Sequence, residues 1–328
     1  MIGLALAACR SSSDCFREDV FCAALVTDTQ GIDDHGINQD AWAGLQEAQA
    51  TGLADQVGYI ESVDARDYEK NISYFASRGY DVIFTSGIAL EDETLQSADL
   101  YPDSVFVGLN QPFEESRPNI VSVTFPEDQM GFAAGTLAAK LTKTGMVGAV
   151  CETSGIDSMW RYCEGFRAGA KFAAGLAETD ISVSILYREN GDSERLFLDE
   201  SWGYETAESL IARGVDVIFA AGGLTGQAAL RAASDLGVMA IGTERDQAAT
   251  LGGSASGVVT SFFGQTSFEV QEVMRLLRAG GIPGMRVGQI QFVPFRPNLP
   301  ESLSFELETL LKALSEGEIL TEVPPESR

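Results

Sequence analysis

The chain alternates short runs of apolar residues with longer stretches in which apolar positions recur every three or four residues. Segments 21–27, 57–63, 81–86, 104–109 and 120–125 are brief and rich in Val, Ile and Phe, as strands covered on both faces are. Segments 146–150, 181–187, 216–221, 238–242 and 257–263 repeat the pattern. Between them lie helical periods. Stretch 67–77 places Tyr68, Ile72 and Phe75 on one face. Further helices are predicted over 158–174, 204–213, 226–236, 265–278 and 303–314, and one starts near Asn38 or Asp40, either of which can cap it. This alternation predicts parallel sheets with helices on both faces.

The pattern also occurs twice as text. Thr29-Gln30-Gly31-Ile32-Asp33 returns as Thr153-Ser154-Gly155-Ile156-Asp157, each after an apolar run. Arg78-Gly79-Tyr80-Asp81-Val82-Ile83-Phe84 returns as Arg213-Gly214-Val215-Asp216-Val217-Ile218-Phe219, and Val107-Gly108-Leu109-Asn110 has an echo in Ile241-Gly242-Thr243-Glu244. Three matches in order predict two similar α/β lobes with strand ends facing a cleft. Ligands of open parallel sheets sit at the carboxyl ends of strands, where Asp28, Asp33, Asp34 and Asn38 crowd together. The expected boundaries are 1–19 for a leader and linker, 20–122 with 259–280 for lobe 1, and 123–258 with 281–328 for lobe 2. Strand 258–263 is expected to return to lobe 1.

The charge narrows the partners. With 22 basic against 48 acidic residues the net charge is −26, which repels nucleic acid and anionic lipid. No apolar run reaches the length of a spanning helix. The N-terminus is apolar through Ala8 and closes on Leu6-Ala7-Ala8-Cys9, which resembles a bacterial lipobox. That pattern predicts export and lipidation of Cys9, with Ser11-Ser12-Ser13 beginning a tether. Four cysteines remain, in two close pairs that an oxidising compartment can bridge: Cys15 with Cys22, and Cys151 with Cys163. A metal site is disfavoured, since there is no CxxC and the only histidine is His35. No cofactor is implied, and nothing in the sequence marks an oligomer interface, so a monomer is expected.

Val26-Thr27-Asp28, Gly31-Ile32-Asp33-Asp34, Asn38-Gln39-x-Ala41-Trp42-x-Gly44, Gly222-Gly223-x-Thr225-Gly226 and Ile241-Gly242-x-x-x-Asp246-Gln247 together resemble the basic membrane lipoprotein family. That family is similar to the purine nucleoside receptor lipoproteins, substrate-binding subunits of ABC importers. The resemblance runs from about residue 23 to about 278. It implies a type I periplasmic binding fold with two Rossmann-like lobes, three crossings and a ligand between the lobes. It also implies an extracytoplasmic, membrane-anchored location and permease and ATPase partners.

The resemblance assigns roles residue by residue. Two phenylalanines sandwich the purine in the nucleoside receptors; Ile37 stands at the first position and Phe219 is matched to the second, with Trp160 as a replacement face. The family aspartate that reads the base edge falls at Asn110, which offers a donor and an acceptor where a carboxylate only accepts. The ribose-binding aspartate falls at Glu244. Asp28 and Asn38 match, and the backbone amides of Gly222, Gly223 and Thr225 are placed to meet a ligand oxygen. The family lysine falls at Gly264, so no buried cation is expected. Glu244, Phe219 and Trp160 are then expected from one lobe, and Asp28, Asn38 and Asn110 from the other.

Two rival classes stay in view. A Ser-His-Asp or Cys-His relay would have to use His35, while a carboxylate pair such as Asp33 and Asp34 offers acid–base chemistry; there is no GxSxG elbow and no P-loop, and Gly222-Gly223-Leu224-Thr225-Gly226 lacks the GxGxxG spacing. A sensing module of the same fold, feeding a membrane sensor, has the same sequence features as an importer subunit.

Overall fold

The computed structural model describes residues 15–189, 195–282, 284–296 and 299–324. Cys9 and the expected lipobox lie outside the described residues. The chain divides into two compact units, the first formed by 15–33, 37–124 and 266–286, the second by 34–36, 125–265 and 287–324.

The first unit carries β1 (Cys22–Thr27), β2 (Gln56–Glu61), β3 (Val82–Ser86), β4 (Val105–Leu109) and β5 (Ile120–Thr124), with α1 (Ile37–Ala50), α2 (Tyr68–Ala76) and α3 (Glu91–Leu100) between them. The second carries α4 (Glu127–Leu141), β6 (Met146–Cys151), α5 (Asp157–Ala177), β7 (Ser182–Tyr187), α6 (Glu200–Ala212), β8 (Val217–Ala221), α7 (Gly223–Asp235), β9 (Met239–Thr243), α8 (Gln247–Leu251) and β10 (Val258–Gly264). Then come α9 (Thr266–Arg278), the short strands β11 (Met285–Val287) and β12 (Ile290–Phe292), and α10 (Glu301–Ser315).

The sheets share one topology, β2-β1-β3-β4-β5-β11 and β7-β6-β8-β9-β10-β12, which is the structural form of the textual repeat. Every residue of β1, β3 and β8 is buried, as expected for parallel strands with helices on both faces. In this strand order the connections leave in opposite directions from between β1 and β3, and from between β6 and β8. Those two switch points are where a ligand finds room.

Two expected boundaries move. β10 pairs with β9 and β12, so 258–264 belongs to the second sheet and does not return to lobe 1. It is α9 that packs in the first unit, against α1, where a Cβ on Gly44 would lie 2.8 Å from the Ser267 carbonyl oxygen. The first unit also keeps its segment as far as Arg286, because β11 joins the first sheet. Both close cysteine pairs are bonded: Cys15–Cys22 ties the entry segment to β1, and Cys151–Cys163 ties the end of β6 to α5.

Candidate ligand-binding site

In the first unit the strand ends gather a polar set. Asp28 follows β1 and its carboxylate accepts from Asn38 Nδ2 at 2.9 Å, from the Gln30 amide at 3.0 Å and from Gln30 Nε2 at 3.1 Å. Asn38, in the first turn of α1, also donates to the Gly31 carbonyl at 2.9 Å, which fixes its orientation. Burial raises the Asp28 carboxyl above the ordinary carboxylate range, and the hydrogen bonds from Asn38 and Gln30 oppose that rise. The backbone leaves β3 through Gly87 at φ +98°, where a Cβ would come within 2.9 Å of Asp28 Oδ2. Only glycine suits that turn.

Asn110 ends β4 in the left-handed region, at φ +55°, with its amide donating to Val123 O at 2.8 Å. Its side-chain Oδ1 is buried and has no hydrogen-bond partner among the described residues, and Ser86 Oγ at the end of β3 is in the same condition. Strand register places Ser86 opposite Thr27 on one side and Leu109 on the other. Thus Asp28, Ser86 and Asn110 stand at the ends of three adjacent strands. Ile37 begins α1 and is partly buried.

The second unit answers with a different set. Glu244 ends β9 at φ +71°, and its carboxylate accepts from the Gly223 amide at 3.0 Å at the start of α7. Burial raises this carboxyl to about 7, against the lowering effect of the Gly223 and Gly222 amides. The helix N-terminus that was expected to meet a ligand oxygen is therefore already met by Glu244. Gly222 and Gly223 hold the acid, and the acid is the group presented.

Three further expectations are corrected. Phe219 is fully buried in the middle of β8, with its ring stacked on Phe166 at 4.9 Å and 8°. At 0% exposure, packed against Phe166 and Tyr162, the ring offers no open face to a base. Thr225 is also fully buried: its hydroxyl donates to Glu152 Oε2 at 2.9 Å and its amide donates to Phe197 O at 3.3 Å. Nor is the unit without a buried cation. Arg188 follows β7 at 4% exposure and pairs with Glu152 at 3.2 Å and Asp199 at 3.0 Å. Trp160 lies in the first turn of α5, stacked on Tyr187 at 6.0 Å, and its indole N–H donates to Pro324 O at 2.9 Å. Asp34 accepts from the Gly36 amide at 2.8 Å.

Sequence reasoning passed over Phe197. It is partly buried, lies between the second unit's strand ends and α7, and adopts φ +63°. Its amide donates to Glu152 Oε2 at 3.0 Å while its carbonyl receives the Thr225 amide. The available signal was an acid or a base directly after an apolar run, Glu152 after 146–151 and Arg188 after 181–187. Among the described residues no cluster of His, Cys, Asp and Glu is arranged to hold a metal, and no helix is long and apolar enough to cross a membrane.

A family model described as ABC transporter substrate-binding protein PnrA-like matches residues 21–275. The CD4+ T-cell-stimulating antigen of Listeria monocytogenes is 31% identical over 307 residues, covering 86% of this chain and 82% of its own length. The ABC transporter nucleoside-binding protein BmpA of Lactococcus lactis is 32% identical over 236 residues, 69% of this chain and 64% of that one. A solved ABC transporter solute-binding protein from Aeropyrum pernix aligns with a TM-score of 0.77 over 93% of this chain and 94% of its own, at 19% identity, a likeness of fold.

Proposed function

Since the chain belongs to the PnrA-like family of ABC transporter substrate-binding proteins, we propose that it captures a nucleoside, nucleobase or related heterocycle for import. The family is one of solute-binding proteins and not of enzymes, which removes the catalytic rival. In this reading the protein is an extracytoplasmic monomer, anchored through a lipid on Cys9, that delivers its ligand to a permease and its ATPase. The observation that carries the ligand class is the unpartnered, buried Oδ1 of Asn110 at the end of β4, one strand removed from Asp28 at the end of β1. A buried acceptor with no donor is costly, and a heterocycle edge that donates to it removes the cost. The Lactococcus relative, named for nucleoside binding, supports the same class.

The roles follow from chemistry. Asn110 presents an acceptor and a donor to the edge of a base. Asp28, oriented by Asn38, accepts from a ligand N–H or O–H. Ile37 offers an aliphatic face, and Phe197 replaces Phe219 as the aromatic one. Glu244 accepts from a diol.

The test is native mass spectrometry of the purified protein followed by calorimetric titration with nucleosides, free bases and unrelated aromatic metabolites. A nucleoside or base is expected to bind at micromolar affinity or tighter, with Asp28→Ala and Asn110→Ala each weakening it by about 1–3 kcal/mol. Retention of some other metabolite, with every purine and pyrimidine refused, overturns the ligand class. Unchanged affinity in both variants overturns the site.

A further inference from the structure

The buried acid Glu152 is used by neither the family resemblance nor the roles above. It follows β6 at 0% exposure, directly after the bonded Cys151. Its own amide donates to Ala221 O at 3.0 Å, and a Cβ on Gly222 would come within 2.6 Å of its Cβ. One carboxylate oxygen takes Arg188 Nη1; the other takes both the Phe197 amide and the Thr225 hydroxyl. Arg188 continues to Asp199, which is 8% exposed, accepts a second ion pair from Arg195 at 2.7 Å and receives the Trp202 amide at the start of α6. Asp199 also sends its amide to Thr225 Oγ1 at 2.9 Å. Two acids and two bases thus interlock the ends of β6 and β7, the segment 195–199 and the first turns of α6 and α7.

We propose that Glu152 is a positioning residue of the second unit's ligand face, holding the Phe197 backbone in its left-handed conformation and docking it to the first turn of α7. A bulky residue at positive φ is an outlier that persists only where its surroundings over-determine it. Here the amide and the carbonyl of Phe197 are both claimed, by Glu152 and by the Thr225 amide. A backbone held by hydrogen bonds of the unit's own residues has less freedom to lose when a ligand is bound. Arg188 acts at one remove: its guanidinium, 3.2 Å from Glu152 Oε1, holds the carboxylate in the orientation that meets the Phe197 amide and the Thr225 hydroxyl. The inference rests on the reading of Phe197 as the aromatic platform, but the clamp is measurable without a ligand.

Removing one partner alone would leave a buried charge and unfold the region, so the decisive variant changes both. Glu152→Met with Arg188→Met replaces the pair by apolar groups of similar length, a change that often preserves stability, and Asp199 keeps Arg195. Two quantities are read in wild type and variant. The first is amide hydrogen exchange across 195–199 without ligand. The second is the affinity of whichever of adenosine, guanosine, inosine, cytidine and uridine binds the wild type best. The expected result is an unchanged melting temperature, at least tenfold faster exchange at Phe197 and at least tenfold weaker nucleoside binding. Unchanged exchange at Phe197 overturns the clamp, and lost protection with unchanged affinity overturns its role in binding. Should the wild type bind none of the five, the nucleoside form of the ligand reading fails separately, and the exchange result alone still decides the clamp.

Discussion

Glu244 shows how one residue can set the working range of the site. Its carboxyl is held at about 7, burial raising it and the Gly223 and Gly222 amides lowering it. A diol donates more strongly to the ionised carboxylate than to the neutral acid, so affinity is expected to fall with the ionised fraction, roughly nine-tenths at pH 8 and one-tenth at pH 6. In the proposed reading, nucleoside binding is therefore expected to weaken by up to about tenfold between those values, and Glu244→Gln to bind weakly with no such pH dependence. A titration series across that range checks it; affinity that is flat or improves toward acid excludes a diol contact at Glu244. Asp28 and Asn38 were legible at this scale because a polar loop after a buried strand has one place to go, and they do bond to each other. Phe219 was not. A fully buried strand has two apolar faces, and no periodicity separates a phenylalanine of the core from one at the ligand end; here Phe219 sits mid-strand and meets Phe166. Phe197 sits in a stretch with no period at all, and what aims it is a long-range partner, Glu152, which spacing cannot disclose.

At the scale of elements, the alternation placed ten strands to within a residue or two, because those ten pair in parallel and most are covered on both faces. It gave no α4. That helix buries every residue from Met130 to Ala138, so it has no polar face to generate a 3.6-residue period. Its partner is α5, and the contact is made by glycines from both sides. A Cβ on Gly131 or Gly135 would lie 2.0 Å from a carbonyl oxygen of α5, and one on Gly165 or Gly169 would lie 2.3 or 1.9 Å from a carbonyl oxygen of α4. Alanine in place of a helical glycine normally gains about 1 kcal/mol of propensity. Here the obstruction is backbone, which cannot rotate away, so overpacking wins. Gly135→Ala and Gly169→Ala are each expected to lower stability by about 1–3 kcal/mol in denaturant unfolding. A stabilised variant would mean that the two helices can separate without loss.

For the whole molecule the acid excess and the buried acids act in the same direction. Glu127, at the start of α4, is raised to about 7 by burial despite its own backbone contact and the nearby Arg161, and Glu244 reaches a similar value. Both titrate near 4.5 in the unfolded chain, so the folded protein holds these protons more tightly. The stability they contribute is complete below about pH 4.5 and is lost as pH rises through about 7, on the order of 3 kcal/mol per group. Self-repulsion at a net charge of −26 also grows over that interval, but salt screens it far more than it screens Glu127, which is 6% exposed. An opposite trend sets the acid limit. Burial disfavours ionised Asp216, yet hydrogen bonds from Thr142 and from the amides of Lys143 and Thr144 outweigh that and hold it below the usual range. Stability from such groups is lost only as pH falls through their lowered values. The melting temperature is therefore expected to rise from pH 8 to about pH 5.5 and to fall again below about pH 4. Sodium chloride should shrink the part due to net charge. Glu127→Gln with Glu244→Gln should shrink the part due to burial, and in high salt should leave the profile nearly flat between pH 5.5 and 8. A wild-type profile that climbs toward pH 8 in high salt would contradict the burial of both acids.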